Sequence, residues 1–382
     1  MDFSLSEDQI MMRDTARDFA EKRLKPIAEE LDAKAEMPAE LLRETAELGY
    51  FGLFAPEEYG GLSVDSLSYA LTIEEISKAC AAHAITLSVH NSLVIKAIKG
   101  FGTEEQKKKY LPKLAAGEFI GAYSLSEPGA GTDAGSLQCR ALRSGDHYVL
   151  NGTKSWVSSA GYASVFIVFV LTSPDQGKHG VSCLIVDKGM PGMSLGQSEK
   201  KMGLRASDTR ELSFIDCKIP VGQLLGEENR GLRVAFSLLD AGRIGVAAQA
   251  LGIAQAAYDE AVKYARERKQ FNQPLINFQA TQFKLAEMAT RIDAARLLTY
   301  RAAVLFDSGA SCLKEISMAK LFSSQTANFV ANEAVQIHGG YGYVKEYPVE
   351  RYFRDARVTE IYEGTTEAQK MVISRAIINE GQ

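Results

Sequence analysis

Apolar residues change their spacing twice along this chain, and the two changes limit the folds open to it. From Leu5 to about Leu114 the spacing is helical. Ser6 and Gln9 have capping-box spacing before Ile10. Phe19, Leu24, Ile27 and Leu31 follow at helical intervals, with Pro26 bending or ending a turn. Leu67 to Lys78 and Ile85 to Lys99 read as further helices, and Phe51 to Gly61, with Pro56, Gly60 and Gly61, as a loop. Near Phe119 the period shortens. Val165–Leu171, Val181–Val186 and Glu211–Ile215 read as strands bounded by turn residues. Asn151-Gly152, between apolar stretches, predicts a hairpin turn, because that dipeptide tolerates φ > 0 at both turn positions.

After Gly226 the helical period returns. Leu285, Met288, Ile292, Ala295, Leu298, Ala302 and Leu305 draw a long apolar stripe, flanked by long helices around Leu232–Arg266 and Leu313–Ile337. Helices of this length imply an antiparallel bundle. The expected fold is α+β: an N-terminal helical domain over 1–118, a central β-barrel or sandwich-like domain over 119–225, and a C-terminal four-helix bundle over 226–382.

Composition narrows the function. At 382 residues the chain can bury more than one layered core, and 46% hydrophobic with 24% charged residues excludes disordered and fibrous classes. The net charge is −5 and no basic stripe carries interleaved aromatics, so no nucleic-acid partner is expected. Five dispersed cysteines without a C-x-x-C pair imply reduced, buried thiols. The histidines show no H-E-x-x-H spacing, so no metal site is expected. The start, MDFSLSEDQI, is acidic and lacks transit or signal features, and no apolar run reaches the roughly 18 residues of a membrane span. A soluble protein of the bacterial cytoplasm is the simplest expectation; a mature mitochondrial matrix enzyme would look the same.

Chemistry concentrates in a few tracts. In Tyr123-Ser124-Leu125-Ser126-Glu127-Pro128-Gly129-Ala130-Gly131-Thr132-Asp133, glycine-freed amides and hydroxyls suit a polar cofactor or its phosphates. The glycine spacing is not that of a dinucleotide-binding fingerprint, and alone the tract reads as a surface turn. Trp156-Val157-Ser158, Arg268 to Phe271, Gln279, Gln336 to Gly340 and Ile361 to Glu367 complete the set. Singly, Trp156 reads as core, Arg268 as a cation at a helix C-terminus and Gly339-Gly340 as a helix stop.

Taken in order, these tracts resemble the acyl-CoA dehydrogenase family, closest to its short-chain (butyryl-CoA) branch, from the first helix to about Ile377. The resemblance implies FAD, lined by Tyr123, Leu125, Ser126, Gly131 and Thr132, with Trp156 and Val157 against the flavin and Ser158 near N5. It implies that Arg268, Phe271, Gln279, Gln336, Ile337, His338, Gly339 and Gly340 reach the FAD of a neighbouring subunit in a homotetramer, a dimer of dimers. Thr365, Thr366 and Glu367 would serve the adenosine half. Thr132, Asp240, Arg243, Tyr362 and Gly364 would contact the acyl-CoA substrate, and electron-transfer flavoprotein would accept the electrons. Ser126 and Ser158 stand where many relatives carry Thr, and Asn272 where they carry Gly, a position Asn tolerates.

The resemblance also makes Glu363 the catalytic base. Removing an α-proton beside a thioester needs a positioned base, and a carboxylate becomes stronger when buried. Relatives that carry the base on the helix of Asp240–Arg243 have it at the position of Gly242, which cannot serve. An oxidase on the same fold, and a dehydrogenase for branched, cyclic or dicarboxylic acyl-CoA, share the motifs. A distal carboxylate would need a buried cation near Ile85–Lys99, where His90, Lys96 and Lys99 are available and both lysines are expected to face solvent. A helical interaction protein without catalysis would not need Glu363.

Overall fold

The computed structural model describes residues 4–380. Helix α1 (Glu7–Phe19) opens on the expected capping box, with the Gln9 amide donating to Ser6 Oγ at 3.2 Å and the Ser6 amide to Gln9 Oε1 at 3.0 Å. A widened turn and a tight turn containing Pro26 lead into α2 (Ala28–Lys34) and α3 (Ala39–Glu47). The Phe51–Gly61 loop buries Phe51, Leu53 and Phe54. Next comes α4 (Ser66–Val89), two helical stretches joined across a kink, in keeping with the two helices expected. Only Cys80 departs from helical geometry (φ −151, ψ 94), and a widened turn joins α4 to α5 (Lys96–Phe101), followed by α6 (Glu104–Ala115).

Seven strands follow: β1 (Gly121–Ser124), β2 (Arg140–Ser144), β3 (His147–Ser158), β4 (Val165–Leu171), β5 (Val181–Asp187), β6 (Met193–Leu195) and β7 (Thr209–Pro220). They form one sheet in the order β1-β4-β2-β3-β7-β6, with β5 on β4. Strand β4 is buried on both faces. Val165, Ile167, Phe169 and Leu171 join the helical core, while Phe166, Val168 and Val170 join the core enclosed by the sheet. That alternation is the two-residue strand period, and it binds the sheet to the helices.

The Asn151-Gly152 hairpin does not form. Strand β3 runs through it, and the register with β7 slips between Leu150 and Gly152. Asn151 pairs with Asp216 on β7 through two hydrogen bonds (3.1 and 2.8 Å). Gly152 takes φ +139 where a Cβ would press on Cys139. The dipeptide makes a bulge, with positive φ at Gly152 alone where the turn would need it at both residues. The reversal lies at Gly145-Asp146, between paired Ser144 and His147.

The C-terminal part comprises α7 (Gly231–Glu267), a short ribbon of β8 (Lys269–Gln270) and β9 (Gln273–Pro274), α8 (Gln279–Asp307), α9 (Leu313–His338), α10 (Val349–Val358) and α11 (Thr366–Asn379). Helix α7 is the axis, packing against α4, α8 and α9. By length and apolarity it could cross a membrane, contrary to the expectation that no stretch would, but 83% of its most apolar window is buried inside the fold. Of the α8 stripe, Leu285, Met288, Ile292, Ala295 and Ala302 are buried, and Leu298 and Leu305 pack at the margin. All five cysteines are buried and free.

One of the three candidate cations is placed differently from expectation. Lys96 does not face solvent: its ammonium lies 4.3 Å from the Phe54 ring centre and 4.4 Å from that of Phe306, and burial pushes its pKa down to about 8. Two aromatic faces reward that placement. Lys99 is exposed and donates to the Phe54 carbonyl. His90 is fully buried between the Leu114 carbonyl and the Gly121 amide, both at 3.1 Å, and burial pushes it down to about 4.

Candidate active site

Glu363 lies in the turn between α10 and α11. Thr365 caps α11, its Oγ1 accepting from the Ala368 amide at 3.3 Å, so the chain must reverse just before it. The reversal uses two consecutive left-handed residues, Glu363 at φ +51 and Gly364 at φ +95. Glycine takes this conformation freely; for Glu363 it is strain of about 1–3 kcal/mol, which persists only where surroundings fix it. Here Lys320 Nζ and Gln369 Nε2 both donate to the Gly364 carbonyl, at 2.7 and 2.9 Å.

The Glu363 side chain is only half-buried as a whole, yet both carboxylate oxygens are enclosed and lack a hydrogen-bond partner among the described residues. Burial raises its pKa to about 7, against the opposing pull of Lys320 and Arg243. Across from it stands Gly242 on α7, where the missing side chain leaves room for the carboxylate.

The walls come from four elements. Arg243 is buried, donates to Asp240 Oδ1 at 3.1 Å, and leaves its Nε without a partner. Tyr362 donates through its hydroxyl to Gln249 Oε1, and Gln249 donates in turn to the Ala81 carbonyl at 2.8 Å. Tyr123 on β1 rests on Phe169, ring centres 5.1 Å apart, and reaches the Ala235 carbonyl on α7 at 3.5 Å. Tyr69 on α4 bonds Ser88 Oγ at 2.8 Å, closing the space beside Gly245.

On the sheet side, β3 bulges a second time against β7, between Lys154 and Val157. Trp156 occupies this bulge at φ +61 and is 65% exposed, not the core residue it would be read as alone. A bulky residue in left-handed geometry is rare. Val157 turns into the sheet core and can offer only backbone outward, while Ser158 is half-buried. Beneath Trp156, the fully buried Lys154 donates to Glu127 Oε1 (2.8 Å) and the Leu125 carbonyl (3.0 Å). Glu127 also accepts from the Gln138 and Cys139 amides at 2.6 and 3.0 Å, and the Ser155 amide donates to the Ser126 carbonyl. These bonds bring the Tyr123–Asp133 tract beside Trp156. Leu125 and Ser126 are half-buried, Gly131 and Thr132 exposed, and a Cβ on Gly129 or Gly131 would meet nothing within 4 Å.

The remaining site residues form a second group. Arg268 ends α7, 26 positions beyond Gly242, or about 39 Å along a helix. Its guanidinium lies 5.4 Å from the Tyr341 ring centre. Phe271 and Asn272 form the ribbon turn at φ +51 and +63, and Phe271 is 90% exposed. Gln279, Gln336, Gly339 and Gly340 are exposed and Ile337 half-buried at the same end of the bundle. His338 faces inward, stacked on Tyr264 at 4.2 Å between ring centres, so only its backbone is presented outward. In one chain this group cannot meet Glu363. Thr365, Thr366 and Glu367 stay with Glu363, Thr365 using its hydroxyl as the helix cap.

Five residues at the site escaped sequence reasoning: Tyr69, Lys154, Gln249, Lys320 and Gln369. For the lysines a signal existed. Lys320 sits on the buried face of α9 with Ile316, Ala319, Ser323 and Ala327, where a lysine is out of pattern.

The arrangement offers an enclosed base, a neighbouring buried arginine and an exposed aromatic floor. Comparison with known proteins agrees along the whole length. Residues 6–118, 122–217 and 229–378 match the family models described as the N-terminal, middle and C-terminal domains of acyl-CoA dehydrogenase. The short-chain specific acyl-CoA dehydrogenase of Clostridium acetobutylicum is 47% identical over 99% of this chain and 100% of its own. The acryloyl-CoA reductase (NADH) of Anaerotignum propionicum is 48% identical over 99% and 96%. The solved structure of butyryl-CoA dehydrogenase from Megasphaera elsdenii matches with a TM-score of 0.97 at 46% identity, covering 99% of this chain and 100% of that one. With all three domains matched and near-half identity end to end, this chain belongs to the acyl-CoA dehydrogenase family.

Proposed function

We propose that this protein is an FAD-dependent dehydrogenase of short straight-chain acyl-CoA thioesters, yielding the trans-2-enoyl-CoA, with Glu363 as the base and electron-transfer flavoprotein as acceptor. The observation that carries the reading is the Glu363 carboxylate: enclosed, unpartnered, and raised to about 7. A base works best with a pKa near the operating pH, where it is ionised yet still holds a proton well. With no hydrogen-bond donor to it among the described residues, the carboxylate is free to take the α-proton. Arg243 and Lys320 favour its charged form beforehand.

The residues fit FAD. Trp156 and Phe271 expose large aromatic faces in strained conformations that a lone chain does not reward, and a flat ring system would cover. Leu125, Ser126, Gly131, Thr132, Trp156, Ser158 and the Val157 backbone would hold the flavin on its own chain. Bound there, FAD supplies the oxidant, accepting the β-hydrogen with its electron pair. Arg268, Phe271, Gln279 and the Gln336–Gly340 turn serve a neighbouring chain's FAD in a tetramer. The exposed Phe271 and the exposed α8 row of Phe283, Leu297 and Val304, spaced in multiples of seven, support burial against another copy. Asp240, Arg243, Tyr362 and Gly364 line the substrate side. Tyr69, filling the space beside Gly245, supports a short acyl cavity.

The same residues can run the reaction backwards, Glu363 then donating a proton to the α-carbon. The likeness to an acryloyl-CoA reductase favours that second reading. Anaerobic mixing of the yellow enzyme with butyryl-CoA tests both. Rapid bleaching that is lost in Glu363→Gln, with FAD and acyl-CoA still bound, is the expected result. A Glu363→Gln enzyme that bleaches at the wild-type rate overturns the base, and reduction of crotonyl-CoA without bleaching by butyryl-CoA favours the reverse reaction.

A further inference from the structure

Lys320 is fully buried on α9, and its ammonium makes one side-chain hydrogen bond among the described contacts, to the Gly364 carbonyl at 2.7 Å. A buried ammonium is costly unless it is paired, and Lys320 has no ion pair within 4.0 Å among the described residues. The nearest reason for its presence is the segment it touches. Gly364 follows the strained Glu363; the Lys320 and Gln369 bonds to the Gly364 carbonyl fix the peptide just after the pair, and Gln369 Nε2 also reaches the Glu363 carbonyl at 3.5 Å.

We propose that Lys320 is a positioning residue for Glu363: its ammonium clamps the Gly364 carbonyl and supplies the cation that keeps the neighbouring carboxylate ready to accept a proton. The inference rests on Glu363 being the base. The charged and titratable groups around that carboxylate are few. Arg243 on α7 also faces it, but its charge is shared with Asp240 at 3.1 Å. The phenols of Tyr69 on α4, Tyr123 on β1 and Tyr362 in the turn are all raised by burial and stay neutral. Glu360 and Glu367 act on Lys320 from the same turn and support its charge. Burial lowers Lys320 to about 8, still above Glu363, so the ammonium is largely charged at the midpoint of the Glu363 titration. Gln369, the second donor, carries no charge and contributes the clamp alone. The two parts of the role therefore separate by substitution.

The test is the pH profile of kcat/KM for butyryl-CoA, whose acid limb reports the free enzyme's base. Lys320→Met should move that limb up by about one pH unit, a roughly tenfold loss at pH 6 that narrows as pH rises. Lys320→Arg should leave the limb in place. Gln369→Leu should lower the rate evenly at every pH. The shift is also read without turnover, by 13C titration of labelled glutamate carboxyls, in which the signal absent from Glu363→Gln belongs to Glu363. An unmoved limb in Lys320→Met, or a moved limb with an unmoved carboxyl, overturns the proposal. Should Lys320→Met fail to load FAD, Lys320→Gln replaces it. If neither neutral variant loads FAD while Lys320→Arg does, the role is structural and the proposal falls. Failure of the underlying reading looks different: Glu363→Gln would then keep wild-type flavin reduction.

Discussion

A Cβ placed on Gly242 would overlap Oε2 of Glu363 and stand 3.0 Å from its Cδ, so the glycine on α7 and the carboxylate occupy complementary halves of one space. Leu93 closes the same space, 3.1 Å from that Cβ position. Gly242→Ala should displace the carboxylate and leave the distant Arg268 group untouched. Since a displacement of about 1 Å can cost on the order of 100-fold in rate, flavin reduction by butyryl-CoA should fall by roughly that factor at unchanged FAD content. The loss in thermal stability should largely vanish when Gly242→Ala is made in a Glu363→Gly background, because the clashing oxygen is gone. Gly242→Glu in that background should recover part of the activity. Additive losses in the double variant would show that the two positions do not share a space.

Glu363→Gln should stabilise the protein at alkaline pH while destroying catalysis. The folded pKa of about 7 lies above the ordinary 4.5, so folding favours the protonated form. The penalty is absent below pH 4.5, grows between 4.5 and 7, and is complete above 7. Its size is ~3 kcal/mol, already net of the favourable pull of Lys320 and Arg243 on the charge. Paired thermal melts of both holoenzymes at pH 8 and pH 4.5 check this. A gain of equal size at both would place its origin outside the titration of Glu363.

Lys154→Met should weaken both fold and flavin retention. It leaves Glu127 buried with two backbone amides and no counter-charge. Removing one partner of a buried pair costs about 3–5 kcal/mol. The tract from Leu125 to Thr132 loses its anchor at the same time. Adding Glu127→Gln should restore part of the stability, as it removes the stranded charge. Flavin absorbance per chain and melting temperature, taken on the same samples, follow the two effects. Wild-type values in both for Lys154→Met would be incompatible with a clasp.

What could be read in advance follows from what each signal measures. Spacing located α7, α8 and α9 because an apolar face repeats for many turns there. It misread Asn151-Gly152 because the dipeptide reports only tolerance of positive φ, which a bulge beside Asp216 uses as well as a turn does. It divided α4 at its kink, because Cys80 and its small neighbours interrupt the apolar pattern where the backbone leaves helical geometry. Glu363, Trp156 and Phe271 were reachable through the order of the tracts, although their positive φ was not. Lys320 and Lys154 had only their misplacement among buried positions to mark them, since their partners, Gly364 and Glu127, lie 44 and 27 residues away.

The distance between Arg268 and Glu363 leads to the last prediction. Within one chain, about 39 Å of α7 separates Arg268 from Gly242, so on the proposed function Arg268 stands far from the flavin ring beside its own chain's Glu363. If it serves a neighbour's, Arg268→Ala and Trp156→Ala should each weaken FAD retention in the homo-oligomer, and the two should complement each other. In a mixed assembly, the site using Trp156 of the Arg268→Ala chain draws its arginine from the Trp156→Ala chain and is whole. The reciprocal site carries both defects. Co-expressed chains with different affinity tags, purified through both, should therefore hold up to half the wild-type flavin and regain activity with butyryl-CoA, where either variant alone has little. Placing both substitutions on one chain and pairing it with wild type should give no fully intact site, because each site then carries one defect. Mixed assemblies no better than the parents would mean that Arg268 acts within its own chain or not at all. A stable, fully flavin-loaded monomer in light scattering would exclude the exchange altogether.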